Sequence, residues 1–266
     1  MNRRYDIVAL DVDGTLLNEK HVLTQGTREA VRQAAESGAE IVLCTGRGPS
    51  NTFPVLEDLG LTGVIITHNG SATVDAAKRQ LLHHYPMEAA LLEPYIAYCR
   101  ENSVHYDVNT AFDLYIESAA PEVEAMYANY RITPIMRAAD DRLPEGLVKL
   151  TVFGEMDVMD KVQADWEAWP PGLQRIRSGD HFIDVQQAEA NKGHALEQLA
   201  KLRGVDRSRV LAIGNYYNDV GMLEYAGFGI AMANSPEAVQ SAADAVTLSN
   251  DEDGVAAALH AYLWDE

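Results

Sequence analysis

The chain has 266 residues, 47% of them hydrophobic, and a formal charge of −19. That length allows one large domain or two of the usual ~100–200 residues, with apolar material for a sizeable core. The acidic balance, with a pI of about 4.7, argues against partners that reward positive charge, a nucleic-acid backbone or an anionic membrane surface, and a phosphorylated ligand would need local cations to reverse the field.

In chain order, Ile7-Val8-Ala9-Leu10 reads as a buried strand. It runs into Asp11-Val12-Asp13-Gly14-Thr15. Two carboxylates two residues apart at a strand end point the same way. Aimed at one spot they repel, so they need a cation or a shared proton. Taken alone, the stretch also fits, less well, an Asp-Gly turn with both acids in water. A helix follows from about Thr24, with Ala30, Val31, Ala34 and Ala35 at helical spacing and Gly38 as its stop. Ile41-Val42-Leu43-Cys44 is a second strand, Pro49 opens a helix ending near Gly60, and Val64-Ile65-Ile66-Thr67 is a third strand. Continuous apolar strands separated by helices predict a parallel sheet covered on both faces.

Residues 84–187 have another character. Two amphipathic helices are expected near 88–102 and 155–169. Around them lie the alternating segments 104–108, 114–116, 148–153 and 182–185, which favour an antiparallel sheet with one wet face. This is the pattern of a second, α+β domain (84–187) inserted into the first (1–83 and 188–266). The first domain resumes with a helix over 191–202, a strand Val210-Leu211-Ala212-Ile213, a helix over 219–225, short strands at 229–231 and 246–248, and a helix after Asp253-Gly254. Cys44 falls in a strand and Cys99 in a helix, as expected of reduced thiols. The apolar run after Arg3-Arg4 is stopped by Asp11, too short for a signal-peptide core, and no run approaches 18 apolar residues. A cytoplasmic protein, monomeric by default, is the expectation.

Open α/β sheets bind ligands outside the carboxyl ends of their strands. Four polar, glycine-containing clusters sit at such ends: Asp11 and Asp13; Thr45-Gly46-Arg47; His68-Asn69-Gly70; and Gly214-Asn215-Tyr216-Tyr217-Asn218-Asp219. Thr45 and the adjacent N–H groups suit phosphate oxygens, and Arg47 could add charge or be a surface residue. Asn69-Gly70 also fits a plain turn. Asn215, Asn218 and Asp219 offer oxygens to a hard cation such as Mg²⁺. Lys192 opens a helix, where a cation opposes the helix dipole, a placement that calls for a reason.

In order, Asp-x-Asp-Gly-Thr, Thr-Gly-Arg, Asn-Lys-Gly (from Asn191) and Gly-x-x-x-Asn-Asp resemble the haloacid dehalogenase-like superfamily, and most closely its Cof-type members with a large α/β (class IIB) cap. Asn69-Gly70, Ala233-Asn234 and the segment 248–255 extend the resemblance over nearly the whole core. It implies a Rossmann-like core, an inserted cap that closes over substrate, and a Mg²⁺-dependent phosphatase acting on small phosphorylated metabolites. Asp11 would be the nucleophile, Asp13 the acid and base, and Lys192 the charge-offsetting cation. Thr45, Gly46, Arg47, Asn69 and Asn218 would contact substrate. Mg²⁺ would be held by the Asp11 carboxylate, the Asp13 carbonyl and the 214–219 loop, through Asn215 and Asp219. One departure stands out. The family usually has Gly-Asp-x-x-Asn-Asp in the fourth motif, and here the first Asp is Asn215. An amide oxygen still ligates Mg²⁺ but brings no charge, so binding should weaken, about tenfold for each ~1.4 kcal/mol. This leaves a metabolite-binding module with weakened catalysis, or a sugar phosphotransferase, as rivals. Sugar phosphates, pyridoxal phosphate and flavin mononucleotide all stay open as substrates. Tyr106, Tyr115, Phe153 and Lys149 of the cap fit packing or solvent better than a ligand.

Overall fold

The computed structural model describes residues 3–129 and 132–264. They divide into two units, one formed by the chain up to His83 together with the chain from Asn191, the other by His84–Ala190.

The first unit is built on β1 (Ile7–Asp11), α1 (Gln25–Glu36), β2 (Glu40–Cys44), α2 (Pro49–Leu59), β3 (Val64–Thr67), β4 (Ala72–Asp75) and β5 (Gln80–His84), whose last residue begins the second unit. Local chemistry sets the boundaries. The Thr24 hydroxyl accepts from Thr27 N at 3.3 Å to start α1, Pro49 opens α2, and Gly60 ends it in the left-handed conformation. The second unit contains α3 (Ala89–Glu101), β6 (His105–Asn109), β7 (Leu114–Ile116), α4 (Pro121–Asn129), β8 (Ile135–Met136), β9 (Lys149–Phe153), α5 (Met156–Glu167), β10 (Leu173–Gly179) and β11 (Phe182–Gln187). The first unit then continues with α6 (Lys192–Arg203), β12 (Val210–Gly214), α7 (Val220–Tyr225), β13 (Phe228–Ala231), α8 (Glu237–Ser241), β14 (Ala245–Val246) and α9 (Gly254–Tyr262).

The core sheet runs β14-β13-β12-β1-β2-β3-β4-β5. From β14 to β3 every pair is parallel, and β4 turns back antiparallel on β3. Successive residues of each central strand serve opposite faces. Val8, Leu10, Leu43, Ile65, Leu211 and Ile213 pack with α1, α2 and α9. Ile7, Ala9, Val42, Val64, Ile66 and Ala212 pack with α6, α7 and α8. That double burial is why these strands read as unbroken apolar runs. The fold class expected from sequence is the one observed. The β4 and β5 strands were not foreseen, and the strand expected over 246–248 is confined to Ala245–Val246.

The cap sheet runs β10-β11-β9-β6-β7-β8. One face packs Tyr106, Val108, Leu150, Val152, Ile183 and Val185 against α3 and α5. The other face carries the register row Asp107, Thr151 and Asp184. Its polar groups satisfy one another. Thr151 Oγ1 donates to Asp184 Oδ1 at 2.9 Å, Tyr127 OH to Asp107 Oδ2 at 2.9 Å, and Lys149 Nζ lies 3.4 Å from Asp184. Tyr106 is core and Lys149 is ion-paired. The C-terminal edge of this unit lies at Ala190, beyond the 187 expected, because the Gln174 and Gln186 side chains both donate to the Ala190 carbonyl. Cys44 and Cys99 are buried free thiols, and burial pushes both thiol pKa values up.

Candidate active site

The four polar clusters leave the sheet at the carboxyl ends of β1, β2, β3 and β12, which are adjacent strands. Asp11 stands in register with Cys44, beside the start of the Thr45 loop. Main-chain bonds tie the neighbouring loops together: Asn69 N donates to Thr45 O at 3.0 Å and His68 N to Arg47 O at 2.9 Å. His68 and Asn69 adopt positive φ, 51° and 54°, to make this turn. Asn69-Gly70 is therefore both the connection into antiparallel β4 and part of the site. Asn218 Nδ2 donates to Asn69 Oδ1 at 3.0 Å. Gly46 makes room for that pair, since a Cβ there would fall 2.9 Å from Asn69 Oδ1. Arg47 N donates to Thr45 Oγ1 at 3.1 Å.

Lys192 is the first residue of α6, behind the Asn191 cap, and is 1% exposed. A buried ammonium at a helix N-terminus is unfavourable on two counts, desolvation and the dipole. Its partners explain it. Nζ donates to Asp11 Oδ1 at 2.7 Å and to Asp219 Oδ1 at 2.6 Å. Burial works against the charged lysine, but Asp11 and Asp219 outweigh it and its pKa rises. For Asp11, burial and then the Asp219 charge raise the carboxyl pKa, against the pull of Lys192.

Asp219 is engaged by the protein through both oxygens. Its second oxygen, Oδ2, accepts from the main-chain N–H groups of Asn215 at 2.8 Å and Tyr216 at 2.9 Å. With Oδ1 also on Lys192 and the residue fully buried, most of the acceptor capacity of this carboxylate is used within the protein. In the metal-free chain Asp219 seats the lysine and closes the loop on itself. Arg47 is engaged as well. Its Nε and Nη2 grip the Asp13 carboxylate at 2.8 and 2.5 Å, so the guanidinium faces Asp13 rather than open solvent beside Thr45.

Asn215 occupies the corner between the two aspartates. One terminal atom of its carboxamide lies 3.0 Å from Asp11 Oδ2, 2.9 Å from the Asp13 carbonyl oxygen and 3.1 Å from Thr15 Oγ1. Gly14 lets it come so close: φ is +77°, and a Cβ would fall 2.3 Å from the Asn215 Nδ2. Among the described residues no group of three or more His, Cys, Asp and Glu side chains gathers as a metal cluster. A cation in this corner would rely on the Asp11 carboxylate, the Asp13 main-chain carbonyl and the Asn215 amide.

Two further residues support the site. Asn234 Nδ2 donates to Gly14 O at 2.9 Å, and Asn250 both donates to Leu17 O at 3.0 Å and offers its N–H to Asn234 Oδ1 at 3.2 Å. These braces hold the loop after β1. Sequence reading noted both asparagines within the family resemblance but gave them no task.

Residues 8–259 match the family model for haloacid dehalogenase-like hydrolases. Phosphatase YwpJ of Bacillus subtilis is 30% identical over 284 residues, covering 94% of this chain and 97% of its own. The 5-amino-6-(5-phospho-D-ribitylamino)uracil phosphatase YwtE of the same organism is 29% identical over 276 residues, covering 94% and 95%. A crystal structure of a haloacid dehalogenase-like hydrolase from Bacteroides thetaiotaomicron superposes with a TM-score of 0.86 at 27% identity, over 97% of this chain and 99% of that one. With the ordered motifs converging on one strand-end crevice, the chain belongs to the haloacid dehalogenase-like hydrolases.

Proposed function

We propose that this hydrolase is a Mg²⁺-dependent phosphatase of small phosphorylated metabolites, working through an aspartyl-phosphate. The observation that carries this reading is the environment of Asp11. One carboxylate oxygen is held by the buried Lys192, and the other is turned to the corner shared by Asn215 and the Asp13 carbonyl. A carboxylate fixed in this way is a nucleophile with its charge offset on one side and an electrophile-binding corner on the other.

Asp11 attacks phosphorus in line with the leaving oxygen. The P–O bond to the leaving group breaks as the Asp11–phosphorus bond forms, and Asp13, which takes up a solvent proton on leaving Arg47, gives that proton to the departing alkoxide. Asp13 then takes a proton from water, which attacks the aspartyl-phosphate, releases inorganic phosphate and frees Asp11. Thr45 and the Gly46 main chain bind the phosphoryl oxygens. Arg47 holds Asp13 in the ligand-free chain. A phosphoryl group beside Thr45 offers the guanidinium a second anion, and the Arg47–Asp13 pair opens to release the acid. The Asp11 carboxylate, the Asp13 carbonyl and the Asn215 amide oxygen would hold Mg²⁺, which when bound offsets repulsion between the anionic nucleophile and substrate. The relative YwtE, a 5-amino-6-(5-phospho-D-ribitylamino)uracil phosphatase, supports a small phosphate ester as substrate.

Phosphate release from a panel of small phosphate esters, with Mg²⁺ and with chelator, tests the reading, with Asp11→Asn as the blank. Mg²⁺-dependent release absent from the blank is the expected result. Retained turnover in Asp11→Asn would sink the nucleophile assignment. The neutral Asn215 favours one rival, a metabolite-binding module. That rival predicts binding without turnover and hydrolysis restored by Asn215→Asp.

A further inference from the structure

The corner at Asn215 contains a choice that an aspartate would not have. The carboxamide atom that touches Asp11 Oδ2 at 3.0 Å and Asp13 O at 2.9 Å faces two oxygens. A main-chain carbonyl carries no proton, and neither does an ionised carboxylate. If the atom is the amide oxygen and Asp11 is ionised, both contacts are oxygen against oxygen, and a cation between them makes them favourable. If it is the amide nitrogen, both contacts become hydrogen bonds. The two states differ by a half-turn of one side-chain torsion, with the amide atoms exchanging places and the backbone unmoved. Gly14 provides the room on the other side, where the second amide atom lies. Thr15 Oγ1, at 3.1 Å, suits either state, because a hydroxyl donates to the oxygen and accepts from the nitrogen.

We propose that Asn215 is a two-position plug for its own metal site: its N–H groups bridge Asp11 and the Asp13 carbonyl when the metal is away, and its carbonyl oxygen turns in when Mg²⁺ arrives. The proposal rests on the phosphatase reading for the location of the ion, but concerns what the chain does without it. An aspartate at this position would set a second carboxylate against Asp11 and the Asp13 carbonyl, leaving the metal-free corner self-repelling. Asn215 makes that corner self-satisfied. Mg²⁺ must then displace two hydrogen bonds and bind one fewer charge, so affinity falls while the metal-free chain gains order.

The test uses the intact protein in two measurements. The first follows the Asn215 side-chain amide by ¹⁵N–¹H NMR, identified as the pair of signals lost in Asn215→Asp, during a Mg²⁺ titration whose binding is measured in parallel by calorimetry. The expected result is a slowly exchanging amide in the metal-free protein that shifts and exchanges faster with the same midpoint as the calorimetric binding. Mg²⁺ binding that leaves the Asn215 amide unmoved overturns the plug but leaves the metal-dependent reading standing. No calorimetric binding at all overturns both. The second measurement compares melting temperatures. Asn215→Asp is expected to melt lower than the parent without metal, to gain more on Mg²⁺ addition, and to bind Mg²⁺ about tenfold or more tightly. A variant that is metal-free and as stable as the parent overturns the proposal. A variant that folds only after Mg²⁺ is added supports it.

Discussion

Replacing Lys192 by Met tests the electrostatic centre of the molecule. Methionine fills a similar volume and suits a helix, so the change removes the charge with little loss of packing. It leaves Asp11 and Asp219 facing each other, 5% and 0% exposed, without the ammonium that held them at 2.7 and 2.6 Å. Removing one partner of a buried ion pair costs about 3–5 kcal/mol, and here two carboxylates are stranded, which places the expected loss at the upper end. That is a large part of the ~5–15 kcal/mol that holds a typical domain together. The loss also acquires a pH dependence. Unfolded carboxylates give up their protons near pH 4, while the stranded pair must keep one. The unfolded state then binds fewer protons, so stability falls as pH rises. Urea unfolding followed by circular dichroism at pH 5 and pH 8 measures both effects. Lys192→Met/Asp219→Asn should recover a substantial part of the loss and flatten the slope. A single-variant loss below about 1 kcal/mol, the same at both pH values, would refute the reasoning.

Three further outcomes are expected. Gly14→Ala puts a methyl group 2.3 Å from Asn215 Nδ2 at a backbone φ of +77°, and should lose turnover together with about 1–3 kcal/mol of stability, read by phosphate release and urea midpoint. In the cap, burial raises the Asp107 carboxyl to about 6, against the pull of Lys149, Tyr127 and Asn109; the unfolded form ionises first, so this residue subtracts stability as pH rises from about 4 past 6, by about 3 kcal/mol in all. Burial holds His105 down to about 4, and that residue subtracts stability as pH falls from about 6.5 towards 4; unfolding curves from pH 4 to 8 should therefore tilt one way in Asp107→Asn and the other in His105→Gln. Asn234→Ala removes the bond to Gly14 O and should lower kcat more than KM, at a stability cost of about 1 kcal/mol, checked by steady-state kinetics and thermal melts.

The sheet centre was legible because each of β1, β2, β3 and β12 is buried on both faces, which leaves unbroken apolar runs ended abruptly by polar loops. The positions of Asp11, Thr45, Asn69 and Asn215 at one edge followed from topology alone. What was hidden has physical reasons as well. The β4 strand is four residues long, β5 has no buried residue after the exposed Gln80, and α4 buries only Val123 and Tyr127, so none carries a strong period. The part played by Asp219 depends on a turn that folds its carboxylate back onto the N–H groups of Asn215 and Tyr216. Spacing alone does not reveal such a turn. The Arg47 grip on Asp13 joins side chains 34 positions apart on neighbouring loops, and its geometry exists only once the sheet does.

The order of strands has a consequence for how the chain is made. β1 lies between β2 and β12, in register from Ile7↔Val210 to Leu10↔Ile213. One flank of the central strand is available almost as soon as it leaves the ribosome. The other is not translated until the whole of His84–Ala190 has gone by, a delay on the order of ten seconds at usual elongation rates. The inserted segment is continuous and can complete its own sheet in that interval. Meanwhile the unpaired edge of an apolar strand stays open to any passing strand. Newly made chains are therefore at their stickiest after the cap has emerged and before residue 210, and that window is where a chaperone would have most to offer.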